Sequence, residues 1–156
     1  MSIQAKDIMN TDVVCAREDM GVGQLVQLLQ ENKISGAPVI DSADALVGVV
    51  STSDVMFASQ AFGGDPVVYS DFHTHYEIEQ DASWDTLAAE ELNDVAIRDI
   101  MATGVITARS DTPIAELAGI MHSHRIHRVI IVEEEKLAGI VTTMDILKAV
   151  MEKKVS

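Results

Sequence analysis

Two short stretches of this 156-residue chain place a hydroxyl and a carboxylate three residues apart: Ser51 with Asp54, and Thr142 with Asp145. Each follows a glycine and two branched apolar residues, Gly48-Val49-Val50 and Gly139-Ile140-Val141. That pattern predicts a strand running into the first turn of a helix, with both polar groups on one face. The free N–H groups at such a helix start suit polar or anionic ligands. The same spacing also makes a capping box, in which Ser51 or Thr142 caps the helix and the aspartate completes it. Its presence at the same place in two copies favours a binding site, and a cap and a ligand-binding carboxylate are compatible.

The two stretches belong to an internal repeat. Asp7-Ile8-Met9 returns as Asp99-Ile100-Met101, and Thr11, Val13, Ala16, Arg17, Asp19, Leu25 and Ile34 return as Thr103, Val105, Ala108, Arg109, Asp111, Leu117 and Ile126. Repeats this short usually bury their apolar faces against one another. A pseudo-two-fold axis is expected, so a site in one half should have a counterpart in the other.

Each copy reads as a β-α-β-β-α unit. An amphipathic lead-in (Ile3–Met9; Ile97–Met101) precedes a brief strand expected at Val13-Val14 or Val105-Ile106. Asp19 and Asp111 stand where a helix N-cap is expected, with Pro113 suited to a first turn. Apolar residues then recur at helical spacing: Val22, Leu25, Val26, Leu28 and Leu29, and Ile114, Leu117, Ala118, Ile120 and Met121. Two apolar runs in each copy are too short for helices: Ala37–Ile40 with Leu46–Val50, and Arg128–Val132 with Leu137–Val141. Polar turns separate them, as antiparallel strands require. The fold class expected is α+β, sandwich-like: repeat one over residues 1–58, an acidic insert over 59–95, and repeat two over 96–156.

Composition narrows the function. No apolar run approaches the roughly 20 residues that span a bilayer, and the N-terminus shows no signal-peptide core. The single cysteine, Cys15, reads as a buried strand residue and agrees with a cytoplasmic location. The formal net charge is −14, and residues 57–97 carry nine acidic side chains and no lysine or arginine. Such a chain repels phosphate backbones, which argues against nucleic-acid binding. Within the insert, Gly63-Gly64-Asp65-Pro66 reads as a turn and Asp71–Asp81 as irregular. Ser83-Trp84 opens a short helical pattern through Leu92, with Trp84 expected to anchor the insert on the core. His73, His75 and Glu77 alternate and could hold Zn²⁺ or Ni²⁺ if another ligand came from elsewhere. Alternation also arises by chance in an exposed extended segment, so no metal is expected. There is no nucleophile elbow, P-loop or zinc-protease helix, and no enzyme is expected.

Asp-Ile-Met, the strand valine, Ile34-Ser35-Gly36-Ala37-Pro38-Val39-Ile40 and Gly-Val-Val-Ser-x-x-Asp, in order and twice over, resemble the cystathionine-β-synthase-type (CBS) domain. Two copies resemble a CBS pair, or Bateman module. The resemblance implies binding of adenosine compounds such as AMP, ADP, ATP or S-adenosylmethionine in clefts between the repeats. It assigns ribose contacts to Asp54 and Ser51, and to Asp145 and Thr142. Adenine would be read by backbone at Asp12–Val14 with Ser35, Gly36, Ala37 and Pro38. In the second copy that role falls to Gly104, Val105 and Ile106 with His127, Arg128, Val129 and Ile130. The resemblance also implies a homodimer formed through helices and a regulatory output on a separate partner.

The second copy departs from the first where Ser35-Gly36 becomes His127-Arg128, inside the run His122-Ser123-His124-Arg125-Ile126-His127-Arg128. In an acidic chain this run reads as a local anion trap, because arginine makes forked bonds to phosphate. His122 and Arg125 also fit a solvated helix end, where cations offset the dipole. His124 and Arg128 are the candidates for a phosphate. The two sites are therefore expected to differ in affinity, and one could stay unfilled.

Overall fold

A computed structural model describes residues 3–61 and 94–152. The insert's expected turn, irregular stretch and helix, Trp84, and the histidines at 73 and 75 lie outside the described residues. The chain divides into two compact units, residues 14–105 and residues 1–13 with 106–156.

In the unit of residues 14–105, strand β1 (Ala16–Arg17) leads to helix α2 (Val22–Asn32), the hairpin β2 (Gly36–Ile40) and β3 (Leu46–Ser51), and helix α3 (Thr52–Ala61). The sheet order is β1-β2-β3. Strand β1 runs parallel to β2, with Ala16 opposite Val39, and β2 runs antiparallel to β3. Val22, Leu25 and Leu29 put one stripe of α2 onto Ala37, Val39 and Val50 of the sheet, all fully buried. The helix ends at Lys33 in the left-handed conformation, φ 54°. In the hairpin turn, Asp41 Oδ1 accepts from the N–H groups of Ala43 and Ala45 and holds Asp44 at φ 64°.

The other unit repeats this plan. The chain begins with the one-turn helix α1 (Ala5–Ile8); β4 (Thr107–Arg109), α4 (Ile114–His124), β5 (Arg128–Glu133), β6 (Lys136–Thr142) and α5 (Thr143–Met151) follow from the second repeat. Strand order is β4-β5-β6, again parallel then antiparallel. Leu117 and Met121 of α4 pack on Val129, Ile131 and Val141.

Each core is completed by the lead-in segment of the opposite repeat. Ala5, wholly buried, and Met9 join the core built by the second repeat. Ile97, also wholly buried, and Met101 join the core built by the first. Paired N–H···O bonds fix both segments: Asn10 with Ile140 at 2.9 and 3.0 Å, and Ala102 with Val49 at 2.8 and 2.9 Å. Burial of apolar surface between the repeats thus involves exchanged segments, a feature hidden in the contiguous pattern.

Three local expectations are corrected. The first strands lie at Ala16–Arg17 and Thr107–Arg109, not at Val13-Val14 and Val105-Ile106. Pairing with the next strand decides where the ladder forms, and small Ala16, 0% exposed, fits beneath the helix where a valine is not required. Asp19 and Asp111 do not cap the helices; Gly21 and Pro113 hold those positions. The Gly21 N–H donates instead to Gln24 Oε1 at 3.2 Å, while Asp111 pairs with Arg109. Cys15 is half-buried and lies just ahead of β1.

Candidate functional site

The two hydroxyl-carboxylate stretches form helix starts of the expected kind. In the second repeat, Thr142 is the N-cap of α5 and accepts from the Asp145 N–H at 3.2 Å. Asp145 Oδ2 in turn accepts from the Thr142 N–H at 2.8 Å and from its hydroxyl at 3.0 Å. Every hydrogen bond to this carboxylate among the described residues falls on Oδ2, and the residue is half-buried. The capping box thereby fixes the side chain while Oδ1 stays outside it. One carboxylate can serve the helix and still accept from a diol.

The first repeat makes the same two bonds to the carboxylate in a drier setting. Asp54 Oδ2 accepts from the Ser51 N–H at 2.8 Å and from its hydroxyl at 3.3 Å. The Ser51 and Ser53 hydroxyls lie 2.7 Å apart, a contact that Met144 cannot make at the matching position. Ser51 is 1% and Asp54 7% exposed.

Strand register brings the other candidates beside these loops. Gly36 pairs with Ser51, and Arg128 with Thr142. The Thr52 N–H donates to Ser35 O at 2.8 Å, and the Thr143 N–H donates to His127 O at 3.0 Å. Ser35 and His127 are thus tied by their backbones to the start of the helix that carries the aspartate. Ala37, Pro38 and Ile130 are buried strand residues, so any contact with a ligand would be through the backbone. Ile106 O receives the Ile130 N–H at 3.4 Å, joining two of the second-repeat candidates. Val14, Val105 and Ile106 are half-buried, next to but outside the strands.

The basic run is divided by the end of α4. His124 lies exposed on the last turn, with Nδ1 3.0 Å from Ile120 O. Arg125 ends the helix with φ 54°. His127 and Arg128 continue into β5, half-buried, next to Thr142. His122, Arg125, His127 and Thr143 border an open groove of about 730 Å³ between α4 and α5, floored by Met121, Ile126 and Ile146. This groove was not foreseen, because its walls come from two helices whose apolar residues read simply as core-facing stripes. Two glycines were also missed as more than strand residues. A Cβ on Gly48 would lie 2.7 Å from Ala102 O, and one on Gly139 would lie 2.8 Å from Asn10 O.

Among the described residues no group of histidine, cysteine and carboxylate side chains could hold a metal ion. No helix among them is long and apolar enough to cross a membrane.

Comparison with known proteins agrees with this geometry. The CBS domain family model matches residues 5–61 and 97–152. An uncharacterized protein of Methanocaldococcus jannaschii is 31% identical over 159 aligned positions, covering 94% of this chain and 90% of that protein. The crystal structure of CBSX2 in complex with AMP superposes with a TM-score of 0.69 at 22% identity, covering 97% of this chain and 98% of the other. A CBS domain pair crystallised with 5'-methylthioadenosine and S-adenosyl-L-methionine superposes with a TM-score of 0.65 at 23% identity, covering 98% and 99%. Two family matches in order, two three-stranded sheets with the same topology and two hydroxyl-carboxylate helix starts lead to one assignment: the chain belongs to the CBS domain family, as a tandem pair of repeats.

Proposed function

We propose that this protein is a regulatory sensor of an adenosine compound, AMP, ADP, ATP or S-adenosylmethionine, and that the second repeat carries its principal site. Asp145 takes the ribose hydroxyls, with Thr142 beside it. Gly104, Val105 and Ile106, with His127 through Ile130, frame the adenine. Arg128 and His124 receive a phosphate where the ligand has one. The observation that carries this reading is the half-buried Asp145, whose Oδ2 is held by its own capping box while Oδ1 stays outside it. The solved pairs with AMP and with methylthioadenosine and S-adenosylmethionine support the ligand class.

The first-repeat counterpart, formed by Asp54, Ser51, Val14, Ser35, Ala37 and Pro38, is the weaker or unfilled site. Its carboxylate is buried within its own loop. The protein acts on a separate partner rather than by catalysis. Residues 59–95, the acidic insert between repeats 1–58 and 96–156, form the natural contact for a basic partner. Assembly with a second copy is supported by the exposed apolar residues Met144, Leu147, Val150 and Met151 on α5. The lone cysteine suits a reducing, cytoplasmic setting.

Thermal unfolding with millimolar AMP, ADP, ATP or S-adenosylmethionine tests the reading. A raised midpoint with one of them, lost in Asp145→Ala, is the expected result. No shift with any of the four would contradict it and favour an interaction module whose sites stay unfilled.

A further inference from the structure

Gly48 and Gly139 occupy matching strand positions, and each faces the lead-in of the opposite repeat. A Cβ at Gly48 would meet Ala102 O at 2.7 Å and Met101 Sδ at 2.8 Å. At Gly139 it would meet Asn10 O at 2.8 Å and Met9 Sδ at 2.8 Å. In each pair the nearest atom, or one tied with it, is a backbone carbonyl. That oxygen is fixed by the paired bonds to Val49 or Ile140, so it cannot yield as a flexible side chain would.

The pinned residues stand directly ahead of the stretches assigned to adenine. Ala102 precedes Gly104–Ile106 by two residues, and the Val105 N–H turns back to Thr103 O at 2.9 Å. Asn10 precedes Asp12–Val14, and its own Oδ1 accepts from the Asp12 N–H at 3.0 Å. Each glycine therefore sets, from one repeat, where the base-reading backbone of the other repeat begins.

We propose that Gly48 and Gly139 are positioning residues acting across the repeats, Gly48 for the second-repeat site and Gly139 for the first. This rests on the adenosine reading above for its ligand, but not for its geometry. A change at Gly48 should be felt at residues 104–106, which belong to the other repeat, and that crossing separates positioning from a local packing defect.

The test titrates AMP, or whichever of the four compounds raises the melting midpoint, into wild type, Gly48→Ala and Gly119→Ala. Hydrogen exchange is followed at residues 104–106. Gly119 has no atom within 4 Å of an added Cβ and controls for glycine substitution as such. The expected result is at least a tenfold weaker Kd and faster exchange at 104–106 in Gly48→Ala, with Gly119→Ala unchanged. Should Gly48→Ala not fold, Met101→Ala removes the sulfur packed on Gly48 and keeps the backbone pair; a severalfold loss is then expected. A folded Gly48→Ala that melts lower but binds as wild type, with unchanged exchange at 104–106, would overturn the proposal. If wild type binds none of the four compounds, the ligand reading fails by itself, and exchange at 104–106 alone decides for or against positioning.

Discussion

The loops Ser51–Asp54 and Thr142–Asp145 make the same backbone-to-carboxylate bond at 2.8 Å, yet one is sealed and the other half-open. Asp54 is 7% exposed and its serine partner 1%, whereas Thr142 and Asp145 are both half-buried. The residues between them differ too: Ser53 adds a hydroxyl contact to Ser51, and Met144 stands 62% exposed. A single motif thus serves two ends. In the first repeat it satisfies buried polar groups, and its removal should be felt chiefly as lost stability. In the second it holds a half-buried carboxylate in place, and its removal should be felt chiefly as lost binding.

That contrast is open to direct challenge. The largest expected effect is on ligand stabilisation: a compound at 100 times its Kd adds about 2.7 kcal/mol, and Asp145→Ala should abolish that gain while leaving a folded protein. Next comes Asp54→Ala, which strips the Ser51 N–H and hydroxyl of a buried acceptor. It should cost about 1–3 kcal/mol in urea unfolding, more than Asp145→Ala, which removes the N3 partner of a half-buried capping box and leaves the Thr142 cap in place, at about 1 kcal/mol. Equal costs for the two would remove the distinction between a sealed and an open loop. Arg128→Ala should weaken AMP about tenfold, or about 1.4 kcal/mol, and leave adenosine nearly unaffected; equal losses for both would take the phosphate away from Arg128. The smallest effect belongs to Ser53→Ala, about 1 kcal/mol or less in stability for its hydroxyl contact with Ser51, with no change in AMP affinity.

Much of this architecture is legible in the sequence, for identifiable reasons. The hairpin strands at 36–40 and 46–51, and their second-repeat counterparts, announce themselves as apolar runs too short for helices. The aspartate three residues beyond each strand-end hydroxyl marks the helix start, because capping is a local matter. Strand β1 is misplaced by the valines because ladder formation depends on a partner far along the chain. The caps at Gly21 and Pro113 escape notice beside the more conventional Asp19 and Asp111. The exchange of lead-in segments is invisible to periodicity, since Ile97 and Ala5 look the same whichever core receives them. Burial of Asp54 against half-exposure of Asp145 is likewise set by surroundings, not by the motif the two share. The replacement of Ser35-Gly36 by His127-Arg128 signals in advance that the copies differ.

The central claim, one principal adenosine site at the second-repeat loop, is tested most directly by calorimetric titration of AMP into wild type, Asp145→Asn and Asp54→Asn, repeated with the other three compounds if AMP is silent. These substitutions keep the side chain's size, and each is checked for a cooperative melt before titration. The account predicts a saturable heat in wild type and in Asp54→Asn that disappears in Asp145→Asn. Binding that survives in Asp145→Asn with an unchanged Kd, and vanishes in Asp54→Asn, would contradict it.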